Sequence, residues 1–459
     1  MENTQNILGT ERVSKLMLKF AIPSIIAMLV GAIYNIVDQL FIGNAVGPLG
    51  NAATNIAFPL STSCVALALL FGIGGASCFN LDMGKGESKK APNYIGNSVV
   101  MMIISGILLM VVTLLFLEPL LKIFGSPDDV MPYAVEYTRI TAFGFPFLIL
   151  TTGGGHLIRA DGSPKMTMFV SMLGAVINVF LDALFVIVFG WGMSGAAYAT
   201  IIGQFISALV VFWYLKHFKT VSLSIRNFKP NAKIIGKTAS IGMASFINQL
   251  AMMIVQIVLN NFLRKYGGMS EFGESIPIAC AGIIMKVNQI IFSIIIGLSQ
   301  GTQPIESYNY GAEKYDRVRR AYRLAITVGA VISLIAFALF EIFPKEILSL
   351  FGDGSKEYFK FGVLYFRIFS AFLWIGFIQP ITSTFFTSIG KPIKGAILSL
   401  SKNIICFLPA LFILPQFFGI YGVLYATPLA DFLAVVMNIS FAIFEFKLIK
   451  SKEKDLQSA

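Results

Sequence analysis

The chain has 459 residues and a formal charge of +11, yet 56% of it is hydrophobic and only 13% charged; its mean hydropathy is +0.77. Soluble domains carry about a quarter charged residues, so this chain lacks the polar surface to wrap a single core of its size. That excludes a soluble enzyme, a disordered scaffold and a disulfide-stapled secreted domain, and marks a polytopic membrane protein.

A helix needs about 20 apolar residues to cross the hydrocarbon core. Twelve such runs follow in order, at 16–42, 51–80, 94–117, 131–155, 165–189, 194–215, 233–263, 277–304, 317–343, 357–388, 394–414 and 419–446. They must be helical, because an open strand edge in lipid leaves backbone groups unpaired. The first run is too long for a cleavable signal peptide, and no small-residue cleavage site follows it. Cys64, Cys78, Cys280 and Cys406 lie inside apolar runs without metal-ligand spacing and read as small core residues.

Basic residues orient the bundle. One set of loops and tails holds Arg12, Lys15, Lys85, Lys89, Lys90, Arg159, Lys165, the cluster from Lys216 to Lys237, Lys314, Arg317, Arg319, Arg320, Arg323, Lys391, Lys394 and the tail with Lys447, Lys450, Lys452 and Lys454. The opposite loops hold few, diluted by acids that include Glu118, Glu271, Glu274 and Asp353. Both termini are therefore expected on the cytoplasmic side, and the charge reflects topology rather than nucleic-acid binding.

The two halves repeat. Gly192, Gly195, Tyr198, Ala199 and Thr200 recur as Gly419, Gly422, Tyr425, Ala426 and Thr427, 227 positions later. Gly162 and Pro164 recur as Gly390 and Pro392, and Gly72 and Gly86 as Gly297 and Gly311. Matches at nearly one offset signal internal duplication. Six spans per half is an even number, so the halves point the same way, a parallel repeat. The expected organisation is a first lobe over 1–215, a linker over 216–232 and a second lobe with a basic tail over 233–459.

Ionisable groups in a span cost about 2.5–3.5 kcal/mol each on insertion scales. Asp38 lies 19 residues beyond Lys19, and Asp182 lies 17 beyond Lys165, which places both at about 26–28 Å along their helices. Thr200, on the antiparallel sixth span, reaches a similar level. Tyr34 and Asn178 each precede their acid by four residues and share its face. Tyr34, Asp38, Asn178, Asp182 and Thr200 are thus expected to converge. Such a pocket offers hard oxygen ligands to Na⁺ at Asp38 and Asp182, or a carboxylate that carries H⁺.

In the second lobe the positions matching Asn178 and Asp182 are apolar, around Ile405 to Ala410. Lys286, Arg367, Lys402 and Asp431 stand in or at the edges of its spans instead, and Asp431 is expected to pair with Lys402 or Lys286 as a structural ion pair. Pro23 falls inside the first span, where it removes a backbone hydrogen bond. Met28, Gln39, Phe58, Gln249 and Met285 are candidates for lining a cavity that takes flat lipophilic ligands. His156 and His217 have no partner at metal-ligand spacing, and no G-x-x-x-x-G-K-[ST] is present to bind a nucleotide. No resident cofactor or enzyme constellation is expected, and the driving energy must be an ion gradient.

Asp38 in Y-N-I-V-D-Q-L-F-I-G, Asn178 with Asp182 in N-V-F-L-D-A-L-F, and Q-G-T-Q-P-I-E-S-Y-N-Y-G-A from Gln300 to Ala312 resemble the multidrug and toxic compound extrusion (MATE) transporters, in particular their MepA-type branch. The resemblance covers essentially the whole chain. It implies an all-α, V-shaped pair of six-helix bundles that exports lipophilic, usually cationic drugs and dyes in exchange for H⁺ or Na⁺. It also implies a cation site on Tyr34, Asp38, Asn178, Asp182 and Thr200. Some members carry an acidic pair in helices 7 and 10, where this chain has Gln249 and Arg367, so a sodium site of that kind is not expected. A monomer in a bacterial plasma membrane is expected, with no nucleic-acid partner. The nearest rival is a lipid-linked oligosaccharide flippase, which needs several cavity Arg for pyrophosphate; the first-lobe spans are expected to bury none.

Overall fold

The computed structural model describes residues 7–273, 275–349 and 356–458. Glu274 and Asp353 lie outside the described residues, as does the side chain of Lys454. Twelve helices are long and apolar enough to span a bilayer: α1 (Val13–Gly43), α2 (Leu49–Gly84), α3 (Ala91–Leu115), α4 (Met131–Ala160), α5 (Pro164–Val188), α6 (Gly192–Lys216), α7 (Ala232–Gly268), α8 (Cys280–Gly311), α9 (Tyr315–Ile342), α10 (Lys356–Ser388), α11 (Pro392–Phe418) and α12 (Ile420–Glu453). No strand occurs among the described residues. The chain is a multi-pass all-helical membrane protein.

Local sequence explains the starts and stops. Proline sits in the first turn of several helices, including α3 at Pro92, α5 at Pro164 and α11 at Pro392, where its missing N–H costs nothing. The duplication is visible in the backbone: Gly162 and Gly390 turn into α5 and α11 with φ of +82° and +74°, and Gly192 and Gly419 stand at the start of α6 and just before α12 with φ of +53° and +56°. These left-handed conformations favour glycine in both copies.

Several spans run longer than their apolar stretches. Helix α4 reaches Ala160 rather than 155, α7 reaches Gly268 rather than 263, and α8 reaches Gly311 rather than 304. In α4 and α8 the extra polar turns find partners inside the protein. Arg159 Nη2 donates to Gln300 Oε1 at 2.9 Å, and Asn309 Nδ2 donates to the Leu8 carbonyl at 2.8 Å. The last helix continues to Ser458, so the expected basic tail is a helical extension, tied by Arg319 Nη2 to Glu453 Oε2 at 2.6 Å.

Each half has its own apolar core. One gathers Cys64, Met102, Ile149 and Val211; the other gathers Leu263, Phe361, Tyr365 and Leu411. A third core joins the halves at the end that carries both termini. It packs Leu16, Phe20 and Ala21 of α1 against Leu298, Ile305, Phe385 and Phe386 of α8 and α10. Helix α1 therefore straddles the molecule: its root lies in second-half packing, whereas Ile42 near its far end packs with Val186 and Met193 of the first half. Pro23 lies within this helix, which continues through it.

Polar links between the halves gather at the same termini end. Gln303 Nε2 donates to Ser77 Oγ at 2.8 Å, Lys237 Nζ to Tyr94 Oη at 2.8 Å, and Arg159 to Gln300. Backbones approach closely there: a Cβ on Gly242 of α7 would sit 1.8 Å from the Leu70 carbonyl oxygen of α2. The conformation is closed at the termini end.

The segment between α6 and α7 is fixed to the first half. Asn231 N donates to Asn97 Oδ1 at 2.8 Å, and Asn227 Nδ2 donates to Asn93 Oδ1 at 2.8 Å. Asp161, 2% exposed, accepts from Lys219 N and Thr220 N, both at 2.8 Å, and from the Tyr214 and Thr220 hydroxyls, both at 2.6 Å. An amide there would set an NH₂ against donors. Asp161→Asn is therefore expected to cost about 1–3 kcal/mol and to lower the melting temperature of the detergent-solubilised protein more than Thr220→Ala does; an unchanged melt would show that the linker is not held at this carboxylate.

Candidate cation site

Helix α1 presents Tyr34 and Asp38 one turn apart, both half-buried. Helix α5 keeps α geometry to Asp182 and then opens into a single π turn, Ala183–Val188. Such turns are frequent at functional sites. Asn178 and Asp182 are 2% and 0% exposed, and Thr200 of α6 is 8% exposed. Asn178 Nδ2 donates to Thr200 Oγ1 at 3.3 Å. Tyr34 approaches Thr200, and the carboxyls of Asp38 and Asp182 adjoin each other. The five residues expected to converge are brought together.

Sequence reasoning missed a sixth. Tyr137 of α4 approaches Thr200 and faces Tyr34, Asp38 and Asp182. It sits in the polar stretch E-Y-T-R, which looks like an interfacial turn; the signal available was its level in the span, similar to that of Thr200.

The site is short of positive charge. Asp38 Oδ1, both Asp182 carboxylate oxygens and Asn178 Oδ1 are buried with no hydrogen-bond donor. No Lys or Arg interacts with either acid among the described residues. Two adjoining carboxylates surrounded by amide and hydroxyl oxygens fit either a small hard cation or a proton shared between them. Among the described residues no group of three His, Cys, Asp or Glu converges.

The cavity candidates are dispersed in character. Met28, Gln39 and Gln249 are half-buried, Phe58 is 60% exposed, and Met285 packs against the second-half core. In the second half Lys402 Nζ lies 2.6 Å from Asp431 Oδ1, so the expected ion pair forms with Lys402. Lys286 and Arg367 are exposed.

One expectation is overturned. Arg159 is not a loop residue: it lies inside α4 and is 3% exposed, so the first half does bury an arginine. The helix extends past the apolar run because Gln300 of α8 satisfies the guanidinium across the seam. A lone guanidinium is still not the cluster that a pyrophosphate headgroup requires. A buried acid, Glu306, also escaped notice. Glu306, 2% exposed, stands in the quoted Q-P-I-E-S-Y run and faces the Ser388 hydroxyl at 2.8 Å; the charge within that run was the available signal.

Twelve spans that carry a duplicated sequence pattern and a pocket of adjoining carboxyls have the build of a membrane transporter. A family model described as MatE matches residues 23–184 and 244–413, one segment in each half, and the chain belongs to that family. It is 26% identical over 426 residues to the multidrug export protein MepA of Staphylococcus aureus strain N315, covering 92% of each chain. It is 25% identical over 419 residues to MepA of Staphylococcus haemolyticus, covering 91% of this chain and 90% of that one. Among solved structures, one described as an outward-facing conformation of a multidrug resistance MATE family transporter superposes with a TM-score of 0.90 at 23% identity, over 98% of this chain and 100% of that one.

The missing countercharge has a measurable consequence. In Na⁺-free neutral buffer Asp182→Asn is expected to melt above the wild type, because it removes repulsion between adjoining buried carboxylates. A bound ion stabilises in proportion to ln(1 + [L]/Kd), so the wild type should gain melting temperature as Na⁺ or H⁺ is added while the variant gains little. Equal ion-dependent stabilisation of both proteins would dissociate the acids from ion binding.

Proposed function

We propose that the protein is a secondary active multidrug exporter that moves lipophilic, mostly cationic compounds out of the cell in exchange for H⁺ or Na⁺. The observation that carries this reading is the adjoining pair Asp38–Asp182, without a basic partner among the described residues and with Asp38 Oδ1 and both Asp182 oxygens buried without a donor, Asp38 standing on a helix whose root is packed into the other half. The names of the MepA relatives support the cargo, and the basic loops support a bacterial plasma membrane with the termini end in the cytoplasm. The protein is proposed to work as a monomer.

In this reading the chain alternates between the state described above, closed at the termini end, and one in which that seam parts. Asp38 and Asp182 hold the coupling cation, with Asn178, Thr200, Tyr34 and Tyr137 completing its surroundings. The cation and the drug favour different arrangements of α1 between the halves, so each weakens the other. A coupling of about 1–3 kcal/mol changes affinity about 5–150-fold.

Dye efflux from proteoliposomes under an imposed pH or Na⁺ gradient tests this. The wild type should follow one gradient, and Asp38→Asn and Asp182→Asn should each lose about tenfold or more of the gradient-driven rate, the equivalent of about 1.4 kcal/mol. Wild-type rates in both folded variants would refute the assignment. A second experiment addresses alternation. In a background lacking the four native cysteines, Ser77→Cys with Gln303→Cys should form a cross-link that halts efflux and should recover on reduction. Undiminished efflux by fully cross-linked protein would show that this seam need not open.

A further inference from the structure

The two halves handle charge in related places by different means. By the repeat, Asn178 and Thr200 correspond to Cys406 and Thr427. Lys402 stands one turn before Cys406 and Asp431 one turn after Thr427. Because α11 and α12 run in opposite directions, both shifts lead toward the termini end. The Lys402–Asp431 pair therefore occupies the place of the first-half cation site, displaced by one turn. A single π turn, Ser401–Phe407, carries Lys402, whereas in the first half the π turn begins directly after Asp182.

The surroundings of the ammonium are those of a ligand site. Lys402 Nζ lies 2.6 Å from Asp431 Oδ1 and 5.1 Å from the ring centre of Phe292 on α8. A carboxylate joined to an aromatic face is the chemistry that recognises organic ammonium and phosphonium ions. The pair is enclosed: Asp431 is 5% exposed. Lys402 is the only charged group that acts on Asp431 among the described residues. Its side chain is 18% exposed, and the flexible four-carbon stem lets the ammonium swing away. Asn403 next to it donates to Asn248 of α7 at 3.4 Å, which ties the turn to the seam-forming helix.

We infer that Asp431 and Phe292 form a recognition site for a lipophilic organic cation, and that Lys402 occupies it as a tethered surrogate that the cargo displaces. The inference rests on the export reading only for the class of cargo. A site occupied by its own lysine most of the time shows an affinity reduced by the vacant fraction; emptying it restores that affinity.

Equilibrium binding of tetraphenylphosphonium to the detergent-solubilised full chain tests this without any ion gradient, so failure of antiport and failure of this site are separable. Lys402→Met should bind about tenfold tighter than the wild type, and Asp431→Asn about tenfold weaker, while an uncharged dye binds all three alike. Wild-type affinity in both folded variants would overturn the proposal and leave a structural ion pair, as would weakening in both. Should either single variant fail to show a cooperative melt, the charge-free Lys402→Met/Asp431→Asn protein replaces it. That protein should lose the cation and keep the uncharged dye, and retention of wild-type cation affinity would overturn the proposal.

Discussion

Two carboxyls that adjoin in a membrane, with no basic partner among the described residues, are the constraint around which this molecule is arranged. Such groups are costly to hold in a bilayer, and a protein that merely needed stability would have paired or replaced them. Asp182 is fully buried and has neither oxygen satisfied. In the proposed reading the deficit is met by a cation that arrives from solution. On that reading a packing problem becomes an ion-dependent equilibrium, and the neighbouring amide and hydroxyls add acceptors and no countercharge.

What makes the deficit useful is the path of α1. Its far end carries Asp38 into the first half, whereas Leu16, Phe20 and Ala21 near its root are part of a core shared with α8 and α10. A change in charge at one end is applied to a helix gripped at the other. Beyond that shared core the halves meet through polar links, among them Gln303 to Ser77 and Arg159 to Gln300. Helix backbones as close as those at Gly242 and Leu70 gain dispersion over many atom pairs.

Much of this was legible in the residues. Hydropathy located twelve spans, the recurring glycines located the duplication, and helical spacing put Tyr34 with Asp38 and Asn178 with Asp182. These are properties of periodicity and depth, which a sequence carries directly. The misses share another cause. Arg159, Glu306 and Tyr137 are polar or charged positions whose burial depends on a partner distant in sequence: Gln300 at a separation of 141 residues, Ser388 at 82, and the acid pair itself. Composition penalises a charge inside a span and cannot see the residue that satisfies it. The ends of α4 and α8 were cut short for the same reason.

The duplicated halves have not kept the same electrostatics, and the difference is one of source. The first half leaves its carboxyls short of charge, which in the proposed cycle a cation from solution supplies; the second half supplies an ammonium from Lys402 to Asp431. An uncompensated acid pair responds steeply to ion concentration, because its free energy follows the logarithm of what is available. An internal pair does not respond in that way, and yields only to a ligand that offers the carboxylate and the Phe292 ring more than the lysine does. In the proposed cycle the first arrangement suits a coupling ion whose gradient must be read, and the second suits a cargo that must compete for entry. Separate carboxylates spare one site from having to distinguish the ion from the drug, and α1 and α8, packed together at the termini end, are the helices through which the two sites act on the same seam.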